Sequence, residues 1–403
     1  MNERELEKGN KSGLELWIFV IPTFLLVFLV FVDHLVVIPL SADISRSTGL
    51  PIVNSGLLVA IYPISAAISA FVFAPFSDRL GRKTMLMILG CGFAISTLFF
   101  ALSSSVFYVF LFRITSGIFG GPIFPNALAF IGDSFSGKQR GTVVTLVMFS
   151  FSISSIMGVP LGSWIGDQYT WQVPFFGISI GALFCSFAVI SFKSVKTGAE
   201  SGNILKQYLE LISLWKISNI RRLFIIQFFM MIGLFGFVPN ISVWLGTNFG
   251  LSPTSIGLCY MQGGIGALIG NFLAGRLLWL GYRESLISIG SVIMGCFLLV
   301  ATFEFFPVNF IGMIFAGIMF GGSIRIPSLQ MILTEIVSID IRGRLMSMSM
   351  IVSNFTMGLG GIWSIPLLKI DSSRLHGMEQ IGIIAIITLA FVPILILNLK
   401  TDH

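Results

Sequence analysis

Charge is scarce in this chain: only 10% of its 403 residues are Asp, Glu, Lys or Arg, against about 25% in a water-soluble domain. A molecule so short of charge cannot keep its whole surface in water, which excludes an ordinary soluble domain. Histidine is scarcer still, at three residues, and the four cysteines (Cys91, Cys185, Cys259, Cys296) all fall inside apolar runs. Two of the histidines, His376 and His403, lie outside those runs, so neither a metal cluster nor a disulfide framework is expected. No phosphate-binding loop and no triad-like spacing is present. Catalysis and ATP hydrolysis are therefore not expected, and no cofactor is called for.

What is abundant is hydrocarbon: 55% of residues are hydrophobic and the mean hydropathy is +0.95. A helix crossing the ~30 Å bilayer core needs roughly 20 apolar residues. Twelve such runs can be read, at 16–40, 51–74, 85–104, 106–131, 142–166, 173–192, 223–245, 254–274, 285–303, 309–333, 345–368 and 380–398. Nine of the twelve contain no charged residue at all. Lys and Arg stay on the cytoplasmic side of short loops. With the N-terminus inside, nineteen of the 24 fall there, while only Arg46, Lys369 and Arg374 fall outside. Both termini are therefore expected in the cytoplasm. The pI near 9.3 follows from this bias and from anionic inner-leaflet lipid, so nucleic acid is not an expected partner. Glu3, Glu5, Glu7 and Glu15 precede the first run and no cleavage-like site follows a short apolar core, so the first helix is expected to be retained.

The polar stretch from Lys193 to Arg222 divides the runs six and six. Phe119-Gly120-Gly121, Asp133 and Arg140-Gly141 reappear as Phe320-Gly321-Gly322, Glu335 and Arg342-Gly343, at offsets of 201 for the glycines and 202 for the charges. A duplicated unit results, with segments 1–192 and 223–403 joined by a linker over 193–222. Within the linker Leu205, Tyr208, Leu209, Ile212 and Trp215 recur at helical spacing, as in an interfacial amphipathic helix; a partly ordered tether is the alternative.

Between the second and third runs stands Ala74-Pro75-Phe76-Ser77-Asp78-Arg79-Leu80-Gly81-Arg82-Lys83, too short to cross anything. It closely resembles the glycine-x-x-x-Asp-Arg-x-Gly-Arg-Lys signature of major facilitator superfamily transporters, with Ala74 in place of the leading glycine. The resemblance implies an all-α polytopic fold of twelve transmembrane helices in two pseudo-symmetric six-helix bundles. It also implies a cytoplasmic gate holding the halves together when the cavity faces outward. Asp78, Arg79, Gly81 and Arg82 would belong to it, and Asp133, Arg140, Glu335 and Arg342 lie at the same membrane face. Positive-inside topology alone accounts for Arg82, though not for Asp78.

Asp33 is the one acid inside any run, and a carboxylate in hydrocarbon marks a pathway or a proton site. Burial favours its neutral form and a nearby cation its charged form, so a group poised between the two can take up and release a proton. Arg113 is the candidate cation. Phe112-Arg113-Ile114-Thr115-Ser116-Gly117 resembles a fourth-helix motif of the same superfamily, in which an arginine precedes a glutamine-glycine pair, with Ser116 in the glutamine's place. The resemblance implies that Arg113 lines the cavity and modulates protonation of a first-helix acid; a packing pair is the alternative. His34 could also titrate, but it points about 100° away from Asp33. Arg325 has no counterpart in the first half, where Ile123 or Phe124 stands. Substrate choice and packing are equally open to it. Asn126, Gln262 and Gln330 are the further polar residues assigned to the substrate cavity.

The fifth run ends in Gly158-Val159-Pro160-Leu161-Gly162-Ser163, with glycine and proline where helices approach closely or bend. Gly158, Pro160 and Gly162 resemble the glycine-proline motif of drug and sugar efflux antiporters, with Val159 opening the pair and Ser163 replacing a second glycine. The leading expectation is a monomeric bacterial inner-membrane protein exchanging protons for a small amphipathic compound, drug or sugar. Symport or uniport for uptake is one alternative. A non-transporting receptor or lipid-binding scaffold is the other.

Overall fold

The computed structural model describes residues 13–135, 137–189, 204–305, 307–337, 339–371 and 373–397, nearly all of them helical. Hydrocarbon offers backbone groups no partner, so each crossing must bond to itself. The first half comprises α1 (Gly13–Thr48), α2 (Gly56–Leu80), α3 (Arg82–Ala101), α4 and α5 (Val106–Gly120, Ile123–Ser134), α6, α7 and α8 (Gly137–Met148, Ser150–Ile153, Val159–Gln168) and α9 (Gln172–Ala188). The linker carries α10 (Ile204–Ser213). The second half comprises α11 and α12 (Ser218–Phe237, Ile241–Phe249), α13 (Pro253–Leu278), α14 (Arg283–Thr302), α15 (Ile311–Glu335), α16 (Ile339–Ser364) and α17 (Met378–Leu397). Among the described residues, eleven spans are long and apolar enough to cross a membrane, and the sixth, α9, is described over 17 residues. The first span runs past its expected end at residue 40 to Thr48.

Proline sets several breaks, and side chains cap carbonyls beside two of them. Pro122 ends α4, because it cannot donate to the Ile118 carbonyl four residues back. The Ser69 hydroxyl of α2 bonds to that carbonyl instead. Pro239 breaks the seventh span, and Asn240 Nδ2 caps the Gly236 carbonyl at 2.9 Å. Before Pro160 the ladder of the fifth span loosens into a π-helical turn, Ser154–Gly158, where the Val159 N–H reaches back five residues to the Ser154 carbonyl.

The duplication extends into the backbone. Gly49 (φ 80°) and Gly250 (φ 68°), 201 residues apart, end the first and seventh spans in conformations that favour glycine. Contacts between the halves cluster at the face remote from the linker. There the Asp167 carboxylate accepts from Thr254 Oγ1 at 2.5 Å, Ser242 Oγ donates to the Pro39 carbonyl at 3.0 Å, and Ser155 Oγ donates to the Tyr260 carbonyl at 3.0 Å. Gly358 and Gly361 of α16 lie against Ile64 and Ala60 of α2. One and two turns from Ser155 toward the linker face, Phe151 and Met148 on the same helix face are 40% and 58% exposed. On this side of the molecule the fifth and eighth spans therefore diverge toward the linker.

One element departs from an all-helical reading: a short hairpin, β1 (Lys369–Asp371) with β2 (Arg374–His376), pairs Ile370 with Leu375 between the last two spans. The Asn248 side chain bonds both the N–H and the carbonyl of Leu375, at 2.8 and 3.0 Å, which holds the hairpin against α12.

Gly158, Gly162 and Gly166 of the fifth span lie against Val32, Val36 and Leu40 of α1, a four-residue register on both helices that small residues permit. A Cβ on Gly162 would lie 2.6 Å from Val36 Cγ2, whereas one on Gly177 would meet nothing within 4 Å. Gly162→Val should therefore cost about 1–3 kcal/mol by forced separation, and Gly177→Ala should be neutral or slightly stabilising. Apparent Tm values of the detergent-purified variants check the contrast.

Candidate functional site

In the far-face half of the first bundle, the α1 carboxylate Asp33 and the α4 guanidinium Arg113 meet at 2.6 Å, both with no exposed side-chain surface. Arg113 also donates from Nη2 to the Asp33 carbonyl and from Nε to the Leu58 carbonyl of α2, each at 3.3 Å. Thr97 of α3 reaches the other Asp33 oxygen at 3.4 Å. Four spans thus converge on one ion pair. In hydrocarbon each charge alone would be expensive, and mutual neutralisation plus added hydrogen bonds makes the pair tolerable. Ser116 turns its hydroxyl back to the Arg113 carbonyl at 2.9 Å.

Aromatic rings complete the enclosure. The Arg113 guanidinium carbon stands 4.6 Å from the Tyr62 ring centroid and 5.6 Å from that of Phe100. His34 packs on the same Tyr62 ring at 4.9 Å. Its Nδ1 and the Tyr62 hydroxyl have no partner among the described residues.

At the linker face two equivalent ion pairs form, each within its own half. Arg82 faces Asp133 at 3.5 Å, and Arg283 pairs with Glu335. Gly81, at φ 83°, makes the turn that sets Arg82 at the start of α3. Arg140 lies against Gly132, and Arg140 and Arg342 are exposed. The backbone of Asp78 and Arg79 ends α2, and their side chains lie outside the described residues. The linker helix is fastened to both halves: Tyr208 donates to the Val72 carbonyl of α2 at 2.8 Å, and Glu210 pairs with Arg344 of α16. Leu211, and Leu214 just past the helix end, are buried, while Leu209, Ile212 and Trp215 are exposed.

The residues expected in the substrate cavity take the following places. Asn126 bonds the Arg82 carbonyl at 3.2 Å, tying α5 to the start of α3 at the linker face. Gln262 belongs to an exposed α13 stripe with Leu258, Ile265, Ile269 and Phe272, and it overlies Gly312. Arg325 is buried between α14 and α15, with Nη2 2.8 Å from Met294 Sδ and Nη1 3.5 Å from Ser291 Oγ. Packing beside Gly290, not an open wall, is where its chain goes. Gln330 joins a cluster that the sequence did not single out. Its amide lies 3.4 Å from Ser349 Oγ, and Gln227 bonds the Ser349 carbonyl and Ser353 Oγ at 2.9 and 2.5 Å. Among the described residues, no group of three or more His, Cys, Asp or Glu could hold a metal ion.

Residues 23–364 match the family model described as Major Facilitator Superfamily. The uncharacterized MFS-type transporter YwfA of Bacillus subtilis (strain 168) is 27% identical over 374 residues, covering 89% of this chain and 87% of the relative. A bacterial homolog of the human lysosomal transporter Spinster, solved inward-facing and unoccupied, superposes with a TM-score of 0.75 at 15% identity, over 98% of this chain and 99% of that one. A D-xylose–proton symporter superposes with a TM-score of 0.75 at 17% identity, over 93% and 97%.

Because the Asp33–Arg113 contact is sealed, removing one partner strands the other charge. Asp33→Asn should lower stability by about 3 kcal/mol, and adding Arg113→Met should recover most of the loss. A double-mutant cycle on unfolding in detergent measures this, and additive losses would mean that the two side chains do not act as a pair.

Proposed function

This chain belongs to the major facilitator superfamily and is a multi-pass membrane transporter, and we propose that it is a proton-coupled antiporter exporting a small amphipathic compound, drug or sugar. The observation that carries this reading is the enclosed Asp33–Arg113 pair, a carboxylate held between full desolvation and a single cation. Transport proceeds by alternating access of the two halves, driven by the proton gradient. The linker face is the cytoplasmic one, both termini lie there, the chain works as a monomer, and the membrane is the bacterial inner membrane.

In the cycle, Asp33 takes a proton while its site communicates with the outside and gives it up inside, where substrate is loaded for the outward step. The glycine–valine register of the fifth and first spans supports antiport, since it seals the far face beside the acid. Phe31, Phe124 and Phe151 meet at 5.4–5.5 Å with Phe151 exposed, an apolar surface suited to an amphipathic substrate. Asp78, Arg79, Gly81, Arg82, Asp133, Arg140, Glu335 and Arg342 form the cytoplasmic gate. Among the described residues, Arg82–Asp133 and Arg283–Glu335 each pair within one half, which fits a gate released in this conformation, and a few kcal/mol of pairing across the halves suffices to bias the opposite state.

Asp78→Asn should shift the population toward inward-facing forms, seen as slower cross-linking between cysteines placed on the two cytoplasmic rims. Unchanged cross-linking together with unchanged transport would remove Asp78 from the gate.

The decisive transport test uses proteoliposomes with an imposed proton gradient. Wild type should accumulate substrate against its gradient, and Asp33→Asn, which cannot exchange a proton, should only equilibrate it. Accumulation by Asp33→Asn equal to wild type would reject the coupling role, leaving His34 as the remaining candidate for the proton.

A further inference from the structure

When Asp33 is protonated, Arg113 keeps its charge, because a guanidinium does not deprotonate in proteins. The pair then becomes a lone cation in the membrane interior, in a place with no second carboxylate: the charged and titratable groups of the described residues at this site are Asp33, His34, Arg113 and Tyr62. Two backbone carbonyls, of Leu58 and Asp33, remain as acceptors. The other stabilising group is aromatic. The Tyr62 ring, 5% exposed, lies 4.6 Å from the guanidinium, and a ring quadrupole attracts a desolvated cation far more than a hydrated one.

We propose that Tyr62 is a positioning residue of the coupling step: its ring holds Arg113 in place and charged while Asp33 carries the proton. The inference rests on the proton-coupling reading above. The ring is the operating part. The hydroxyl has no hydrogen-bond partner among the described residues and is seated where a Cβ on Gly120 would come within 2.2 Å of it. Phe100, at 5.6 Å, is the weaker second ring. Without Tyr62, ionised Asp33 would be the sole effective counter-charge, and Arg113 would hold the carboxylate in its charged form through the cycle.

Tyr62→Leu should lower proton-driven accumulation on the order of tenfold, while substrate–substrate exchange, which needs no net proton movement, stays within about twofold. Tyr62→Phe should retain both activities, because it keeps the ring. Phenylalanines carrying increasing numbers of ring fluorines, incorporated at position 62, weaken the quadrupole at nearly constant shape and should lower accumulation stepwise; this series decides the matter if Tyr62→Leu does not fold. If Asp33→Asn accumulates substrate like wild type, the coupling reading and this inference fall together. If Asp33→Asn is uncoupled while Tyr62→Leu and the fluorinated series accumulate like wild type, this inference alone fails. A loss in Tyr62→Phe as large as in Tyr62→Leu would also overturn it, since the hydroxyl would then be the working group.

Discussion

A carboxylate and a guanidinium can occupy the interior of a bilayer only if each supplies what water would have supplied to the other. That constraint organises the first half of this transporter. Asp33 and Arg113 meet at 2.6 Å, and the remaining donors and acceptors are Thr97 of α3, the Leu58 carbonyl of α2 and the carbonyl of Asp33 itself. Close approach of these helices is what glycine provides. Gly117 and Gly121 of the fourth span leave no room for a side chain against Ser65 and Ala66 of α2, so Arg113 is brought to Leu58 and Tyr62 by backbone proximity.

The duplication makes the charge pair more informative. The two halves share helix-ending glycines and ion pairs at the linker face, Arg82 with Asp133 and Arg283 with Glu335, so these belong to the common mechanics of the fold. At the offset of 201, Leu234 and Ile314 stand where the first half has Asp33 and Arg113. The second half instead concentrates uncharged hydrogen bonding, in Gln227, Ser349, Ser353 and Gln330. Among the described residues its buried charge is Arg325, with a serine hydroxyl and a methionine sulfur as side-chain partners. Duplicated mechanics with unduplicated charge fits a division of labour, one half carrying the proton chemistry.

How much of this was legible in the sequence depends on whether a feature is a matter of position along the chain or of direction around a helix. Charge exclusion marked the spans, because lipid penalises every charge alike, and the 201-residue offset marked the halves. The one acid, in the first run, and an arginine in the fourth were conspicuous for the same reason. Direction was harder. Gln262 reads as a polar residue in a span, but its neighbours at three- and four-residue steps are Leu258, Ile265, Ile269 and Phe272, an exposed stripe, which a count along the helix would have shown. Asn126 and Arg325 answer to groups on other helices, the Arg82 carbonyl and Met294, and no local pattern announces such partners. Tyr62 was invisible for the same reason: only the packed bundle puts its ring beside Arg113.

The central claim, that Asp33 exchanges a proton when substrate binds, is tested most directly by infrared difference spectroscopy of the purified protein on substrate addition. Antiport through this site predicts loss of a protonated-carboxyl stretch on binding, absent in Asp33→Asn and accompanied by proton release to the medium. A substrate-induced carboxyl band that persists unchanged in Asp33→Asn, or proton release with no carboxyl band at all, would contradict the account.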